Sequence, residues 1–224
     1  MARGEVTPRT TVKRVAERGS HDPGLIDAVI DEALICHLGF IDGGTPFVVP
    51  TIHGRRGDTV YFHGSPASRA LRRSTGAEVC LTITILDGLV LARSAFHHSM
   101  NYRSVMVLGR AREVTDAEEK LQALRAIVEH VCPGRWEAAR RPNLREFSKT
   151  LVVALSLEEA SVKVRSGPPV DEDEDHDLDV WAGVLPLEIE AGTAVPDELM
   201  NPGLAAPAHV RWRRPTERLG STTD

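Results

Sequence analysis

The feature that most constrains the fold is a dense series of short apolar segments between residues 35 and 114, separated by turn residues. ICHLGFI is followed by Asp42-Gly43-Gly44, TPFVVPTIH by the polar stretch Gly54 to Asp58, and EVCLTITIL by Asp87-Gly88. Asp-Gly and Gly-Gly between apolar segments are typical of β-hairpins. Strands this close in sequence, with no long helix between them, must pair mainly in antiparallel fashion.

Helical patterns lie before and within this β-rich region. Asp22 is a good N-cap, Pro23 suits the first helical position, and apolar residues from Leu25 to Leu34 recur at helical spacing. A short helix is expected around Ser68 to Arg73. The first of these patterns predicts an amphipathic helix of about three turns.

The region after the strands adds a third helix and closing strands. Thr115 is expected to cap a long amphipathic helix that ends at Pro133-Gly134, and Trp136 to Phe147 is a further helical candidate. TLVVALSL and ASVKVRSG follow as strands. This order predicts a mainly β fold, a closed or nearly closed antiparallel barrel with peripheral helices.

The charge of the chain is concentrated in one segment. Lys and Arg number 27 against 32 Asp and Glu, a net charge of −5, and Asp171 to Asp179 holds seven of the acids and no basic residue. The remainder is nearly neutral and provides no clustered basic face for nucleic acid. The predicted organisation is an N-terminal arm at 1–20, a barrel domain at 21–165, a solvated acidic linker at 166–179, a segment at 180–190 that docks back to close a cleft, and an irregular tail at 191–224.

The cellular compartment follows from what the composition lacks. Cys36, Cys80 and Cys132 are far apart, odd in number and without C-x-x-C spacing, which disfavours both a disulfide framework and a structural zinc site. No apolar run approaches the roughly 18 to 20 residues needed to span a bilayer, and no secretion signal is visible. We therefore expect a cytoplasmic protein with no membrane partner.

Two polar clusters are candidate anion sites. His63 to Arg69 (HGSPASR) leaves a strand and enters a helix, and it combines hydroxyls, backbone N–H groups and a cation, which suits a phosphate. An ordinary helix cap with a surface arginine explains the same residues. His98 to Ser104 (HSMNYRS) is a second polar strand end, which equally fits a plain strand start. Together the two clusters could converge on one anion.

Other chemistry is weakly supported. Pro50 stands inside the apolar segment VVPTIH, which indicates an edge strand or bulge, or a strand whose backbone is open to a flat ligand such as a flavin ring. The nine histidines show no H-x-H or H-E-x-x-H spacing, so we expect no metal site. No G-x-S-x-G, Walker loop or G-x-G-x-x-G is present, which disfavours a hydrolytic triad and nucleotide triphosphates.

Four segments carry a resemblance to a known family: YFHGSPASRALR, EVCLTIT, NYRSVMVLGRAREV with the helix after it, and WAGVLPL. In combination they resemble the pyridoxamine 5′-phosphate oxidase-like FMN-binding split-barrel superfamily. Within it, the chain is similar to the flavin-nucleotide-binding branch, close to the nitroimidazole-resistance proteins. The resemblance covers about residues 9 to 190.

The resemblance implies a homodimer of six-stranded antiparallel split barrels, with FMN in each of two clefts at the subunit interface. One strand would contact the flavin ring, the loop after the next strand would hold the phosphate, a neighbouring strand would approach the phosphate or ribityl chain, and a late segment would close the cleft. The cofactor-binding residues implied in that order are Val49, Pro50 and Thr51; Ser65, Ser68 and Arg69; Arg103 and Ser104; and Trp181, with His63, Asn101 and Tyr102 as further cleft residues.

The function implied is that of a flavin-dependent oxidoreductase that passes hydride or electrons to a small organic acceptor. A non-catalytic flavin- or haem-binding protein on the same fold is the alternative. His63 and Tyr102 are the candidates for proton transfer. Pyridoxamine 5′-phosphate itself is not expected as substrate, because the position before the ring-contacting strand is apolar or Pro46 and the chain after Trp181 continues GVLPL instead of an Arg-rich element.

Overall fold

A computed structural model describes residues 3–201 and 203–211. The elements in chain order are β1 (Gly19–Ser20), α1 (Pro23–Glu32), β2 (Cys36–Asp42), β3 (Thr45–Thr51), β4 (Gly54–Arg56), β5 (Thr59–Gly64), α2 (Arg69–Ser74), β6 (Glu78–Leu91), β7 (Ser99–Arg110), β8 (Arg112–Glu113), α3 (Ala117–Val131), α4 (Arg135–Ala138), α5 (Leu144–Ser148), β9 (Leu151–Ser156), β10 (Glu159–Arg165) and β11 (Gly183–Pro186). The N-caps expected for α1 and α2 are present, Asp22 accepting from the Leu25 N–H and Ser68 from the Leu71 N–H.

The strands form two sheets in which every pair is antiparallel. One sheet has the order β1-β10-β7-β6-β2-β3, with β11 also paired to β6, and the other has the order β4-β5-β9-β8. β7 and β8 lie on either side of the buried Ala111, so one stretch of chain passes from the first sheet to the second. This confirms the predicted mainly β, antiparallel split-barrel fold.

One apolar core joins the two sheets and α1. It combines the inward faces of β2, β6 and β7 with β5, β9 and one face of α1, where Ile26, Val29 and Ile30 are fully buried. Phe62 on β5 is among its largest fully buried side chains. Removing a buried phenylalanine side chain of this kind costs about 3 to 5 kcal/mol. This core fixes the facing of β2 and β3 and therefore which of their residues point outward.

A second, smaller core packs α3 against the outer side of β4, β5 and β9. Leu124, Ile127 and Trp136 are buried in it. The N-cap of α3 is Asp116, whose carboxylate accepts the Glu119 N–H at 2.8 Å, so the prediction of Thr115 was wrong by one residue. Aspartate and threonine are both good caps, and the local pattern did not separate them.

Two further expectations about local structure were wrong. Asp87-Gly88 does not turn the chain: β6 runs through it, with an irregularity in register between Leu86 and Gly88, because β11 pairs alongside and places Leu185 against Gly88. Trp136 to Phe147 is not one helix but the two short helices α4 and α5. At Asp87-Gly88 a distant strand, β11, decided the backbone conformation, whereas the two short helices are separated by a break that contains Pro142.

The acidic run is only partly solvated. Asp171, its first residue, has a side chain that is 1% exposed and pairs with Arg93 at 3.1 Å. Its carboxylate also accepts the backbone N–H of Arg93 at 3.0 Å. Desolvation opposes ionisation, but these hydrogen bonds outweigh it, so the pKa of Asp171 lies below its ordinary value. The prediction of a solvated linker was therefore wrong for Asp171.

The N-terminal segment is tied to the barrel, since Arg3 pairs with Asp27 and Asp58, and Thr7 and Thr10 are buried. The N-terminal segment contains a short 3-10 turn and the two-residue strand β1, which pairs with β10. The described part of the predicted C-terminal tail is irregular apart from a 3-10 turn at Ala208–Arg211, and residues 202 and 212–224 lie outside the described part. Among the described residues, no helix combines the length and apolarity needed to cross a membrane.

Candidate functional site

The strand implied to contact a flavin ring is an edge strand. β3 pairs with β2 alone in the described structure, which confirms the edge-strand interpretation of Pro50. Val49 packs toward the main core, whereas Pro50 is exposed and Thr51 is half-buried at the end of the strand. The free side of β3 therefore presents unpaired backbone groups, interrupted at Pro50, to any ligand that lies against it.

The loop after β5 carries polar groups that remain open. The Ser65 carbonyl accepts the Ser68 N–H at 2.8 Å, which folds the loop tightly before α2. The Arg69 side chain is 59% exposed, lies over the Phe47 ring at 4.3 Å and is 3.9 Å from the Asp42 carboxylate. Because Asp42 pairs more closely with Arg73, at 2.7 Å, Arg69 remains available to an anion.

His63 is the penultimate residue of β5, beside this loop. Its ring is half-buried, and its Nδ1 is buried with no hydrogen-bond partner among the described residues. Burial lowers the pKa of His63 below its ordinary value, because desolvation penalises the imidazolium. His63 is thus a neutral imidazole at physiological pH, with one ring nitrogen that the described structure leaves unsatisfied.

The second predicted cluster is engaged internally. Arg103 donates to Glu32 at the end of α1 and to Asp87 on β6, at 2.7 Å to each, with its side chain 13% exposed. Hydrogen bonds to Glu32 and then to Asp87 hold the Arg103 pKa above its ordinary value. One guanidinium facing two carboxylates supplies no net positive charge, so this arrangement does not favour an anion.

Asn101 also has a structural role. Its amide donates to the Gly167 carbonyl at 3.1 Å and accepts from Arg165, which is itself buried and also donates to the Pro168 carbonyl. These contacts fix the exit of β10. Glu32, Asp87 and Arg165 were not identified from the sequence, because each acts through a partner that no local pattern relates to it.

Tyr102 and Ser104 point to the opposite face of β7. They line a cavity of about 340 Å³ together with Thr82 and Lys163 on the outer surface of the large sheet. The Ser104 hydroxyl lies 3.1 Å from that of Thr84. Both side chains therefore lie on the outer face of the sheet and not in the barrel interior, in a cavity that Val12 of the N-terminal segment also lines.

The two predicted clusters do not meet within one subunit. Phe47 lies beneath Arg69 and is followed by Val48. Across the sheet, Val48 pairs with Gly39 on β2, Gly39 pairs with Cys80 on β6, and Cys80 pairs with Leu108 on β7. Arg103 is five residues from Leu108 along β7, which is roughly 17 Å at 3.3 Å per residue. Of the two clusters, the loop after β5 therefore carries the exposed cation, whereas Asn101 is buried and Arg103 is nearly so.

The segment from Asp171 to Pro186 forms a strap along β6. Asp171 anchors one end, and β11 pairs with residues 88–91 of β6 at the other. Trp181 is 69% exposed, and its ring lies close above Gly183, where an added Cβ would stand 3.0 Å from the ring. The strap therefore presents an exposed indole at the edge of the large sheet.

The available donor set fits a flavin better than a metal ion. The hydroxyls of Ser65 and Ser68, which accept backbone N–H groups and can still donate, suit a phosphate together with the exposed, loosely paired guanidinium of Arg69. The open edge of β3 suits the polar rim of a planar ring. No group of three or more His, Cys, Asp or Glu side chains in the described residues is arranged to bind a metal ion. The fold and this site define a split-barrel protein with an open edge at β3 and an exposed polar loop after β5.

Comparison with known proteins agrees with this class. The chain belongs to the pyridoxamine 5′-phosphate oxidase family, whose model, described as "Pyridoxamine 5′-phosphate oxidase", matches residues 22–164. Among curated proteins, none matches the chain.

Several solved structures are similar over most of the chain. The flavocytochrome Anf3 from Azotobacter vinelandii is 41% identical with a TM-score of 0.86, covering 91% of this chain and 95% of its own. A FAD- and haem-binding protein from Mycobacterium smegmatis is 32% identical with a TM-score of 0.83, covering 87% and 96%. A putative 5-nitroimidazole antibiotic resistance protein from Bacteroides thetaiotaomicron is 27% identical with a TM-score of 0.54, covering 65% and 86%.

Proposed function

We propose that this protein binds a flavin and a haem and acts as an oxidoreductase that transfers electrons between them. The observation that carries the proposal is the similarity, over about nine-tenths of the chain, to a protein named as a flavocytochrome. A second similar structure is named as a FAD- and haem-binding protein. Both matches extend well beyond residues 22–164, the part that defines the family.

The loop after β5 would hold the flavin phosphate. Arg69 is exposed and incompletely paired, and Ser65 and Ser68 place hydroxyls beside it. A charge-assisted hydrogen bond of this kind contributes about 1.5 to 3 kcal/mol. The cation–π contact with Phe47 holds the guanidinium on the β2–β3 hairpin without neutralising it.

The free edge of β3 would orient the flavin ring. Val49, Pro50 and Thr51 lie along this edge, two to four residues after Phe47, whose ring supports Arg69. A bound flavin supplies hydride and single-electron chemistry, and the protein contributes phosphate pairing, ring orientation and exclusion of water. His63, neutral and half-buried beside the phosphate loop, is the candidate for holding a proton near this site.

We favour FAD as the flavin, because one similar structure is named as a FAD- and haem-binding protein. FMN, which the family resemblance implies, is the alternative. The two share the ring and the first phosphate, and FAD adds a second phosphate and an adenosine. The phosphate loop and the β3 edge would contact the part that FAD and FMN share. The mass of the flavin released on denaturation distinguishes them directly.

A homodimer is part of the proposal. Leu86, Met100, Leu185 and Trp181 expose apolar surface near one end of the large sheet, and Leu89, paired with both Met100 and Leu185, joins them. Apolar surface of this kind is typical of a protein interface.

Three cysteines that form no disulfide suit a reducing compartment such as the cytoplasm.

The test is the absorbance spectrum of the purified protein, followed by titration with FAD, FMN and haemin. We expect flavin bands, a Soret band, and flavin-dependent reduction of the haem when an anaerobic electron donor is added. A colourless protein that takes up neither flavin nor haemin in excess would overturn the proposal. A protein that binds both but transfers no electrons from any donor would support the non-catalytic alternative.

A further inference from the structure

Two arginines on α2 share a single carboxylate at the end of the β2–β3 hairpin. The Asp42 carboxylate lies 2.7 Å from Arg73 and 3.9 Å from Arg69. In both pairs the nearest arginine nitrogen is Nε, and among the described residues neither guanidinium makes a hydrogen bond through its terminal amino groups. The terminal amino groups of both arginines therefore remain available as donors.

The helix and the hairpin together hold these two guanidiniums on one side of the barrel. Arg69 and Arg73 are four residues apart on α2, so they project from the same face of the helix. The Phe47 ring supports Arg69 at 4.3 Å, and Asp42, whose side chain is only 18% exposed, contacts Arg73. Both arginine side chains are more than half exposed. The two cations are thus supported by the fold and accessible to a ligand.

The length of an anion, more than its charge, decides whether it can use both arginines. Two guanidiniums face one carboxylate here, which leaves positive charge in excess. A phosphate monoester carries about two negative charges near neutral pH, and a diphosphate diester carries a similar charge. The diphosphate spreads that charge over two phosphorus centres. Charge alone therefore does not distinguish FMN from FAD, whereas two neighbouring arginines suit the longer anion.

The positions along the hairpin set the order in which a bound flavin would meet the two arginines. The edge assigned to the ring, residues 49–51, lies two to four residues after Phe47, which supports Arg69. Asp42 is paired with the residue two positions before Phe47, roughly 7 Å further toward the hairpin tip at 3.3 Å per residue. A ligand whose ring lies at the β3 edge would therefore reach Arg69 first and Arg73 next.

We propose that Arg73 binds the second phosphate of a flavin diphosphate, so that α2 favours FAD over FMN. Arg69 would hold the phosphate nearest the ring, which FAD and FMN share, and Arg73 would hold the phosphate that only FAD has. Arginine suits phosphate oxygens because its planar guanidinium can donate two parallel hydrogen bonds. The inference rests on the proposed function, since it names a further part of the same flavin site.

The test removes Arg73 without changing the net charge beside Arg69. Arg73→Ala alone would leave Asp42 to neutralise Arg69, so the variant is the double substitution Asp42→Asn/Arg73→Ala, which deletes both members of the pair. We expect the affinity for FAD to fall about 10- to 150-fold, because one charge-assisted phosphate contact is lost, and the affinity for FMN to stay within about twofold. Fluorescence titration of the flavin-free protein with each flavin measures both affinities.

Two single variants are the controls. Arg72→Ala removes an exposed cation from the same helix and should weaken FAD and FMN equally, by less than about threefold. Arg69→Ala should weaken both flavins by similar factors, because it removes the contact to the shared phosphate. Unchanged FAD affinity in Asp42→Asn/Arg73→Ala would overturn the inference, as would equal losses for FAD and FMN in that variant.

The wild-type protein gives a measurement that does not depend on how a variant folds. We expect it to bind FAD at least about tenfold more tightly than FMN, because only FAD reaches both arginines. FMN binding as tight as FAD binding would overturn the assignment of Arg73 and leave the flavin part of the proposed function standing. If the wild-type protein binds neither flavin, the proposed function itself fails, which is a separate outcome.

Discussion

The loop after β5 and the start of β7 contain similar residues but use them in opposite ways. Each region contains a serine hydroxyl and an arginine, with a histidine a few positions earlier in the chain. On β7, Arg103 is held by Glu32 and Asp87 and is nearly buried. After β5, Arg69 is more than half exposed and its nearest carboxylate is 3.9 Å away.

The difference shows how position in the fold decides whether a polar group stabilises the protein or remains available to a ligand. A buried charge must be paired, so Arg103 is satisfied by acids that other elements bring to it. An exposed arginine stays solvated and keeps its positive field. Residue type alone therefore does not identify the functional cluster.

The largest expected effect comes from Arg103→Ala. Removal of the guanidinium leaves Glu32 and Asp87 facing each other with no cation, and we expect a loss of about 2 to 3 kcal/mol in the free energy of unfolding, below the fully buried case because both acids are partly solvated. Urea unfolding measures this loss. Arg110→Ala, at the exposed end of the same strand, is the control. If Arg103→Ala left the free energy of unfolding unchanged but abolished flavin binding, Arg103 would be a ligand-binding arginine and not a structural one.

Arg69→Ala should affect the ligand and not the fold. We expect flavin affinity to fall by about 1.5 to 3 kcal/mol, or roughly 10- to 150-fold, because one charge-assisted phosphate contact is lost. The free energy of unfolding without flavin should change by less than about 0.5 kcal/mol. Arg72→Ala, exposed on the same helix, serves as control in a fluorescence titration with FAD and FMN. Equal losses in the two variants would indicate general electrostatics.

Asn101→Ala should behave like Arg103→Ala on a smaller scale. It removes the hydrogen bonds to Gly167 and Arg165, and we expect a loss of about 1 to 2 kcal/mol, measured by urea unfolding. Cleavage in the strap should also become faster under limited proteolysis, since Gly167 precedes it. A stable variant with an unchanged cleavage rate would show that Asn101 has no structural role.

His63→Gln should give the smallest effect, visible only in its pH dependence. Burial lowers the folded-state pKa of His63, so as the pH falls below about 6.5 the unfolded ring takes a proton before the folded ring does. The unfolded state then binds more protons, and stability decreases in that window. Unfolding measured from pH 8 to pH 5 should show a shallower decrease in His63→Gln. Identical slopes would mean that the ring is not desolvated.

The sequence predicted local structure well where the determining residues lie together. Asp22 and Ser68 cap their helices as expected, and Pro50 lies on an edge strand. It failed where another segment intervenes. Asp87-Gly88 has the composition of a turn, yet the pairing of β11 keeps it inside a continuous strand. Asp171 belongs to a run of acids, yet Arg93 draws it into a buried pair.

By itself, the sequence determined the mainly β class and the antiparallel pairing, because alternation, turn residues and helix caps act over a few neighbouring positions. The family was indicated by the resemblance of four segments to known proteins. Only the tertiary structure decided which polar residues are free. The ion pair between Arg103 and Glu32 joins residues that are 71 positions apart in the sequence, and the pair between Arg93 and Asp171 joins residues that are 78 positions apart. Pairings at such separations depend on how the sheets and strap are assembled. The same assembly leaves Arg69 exposed.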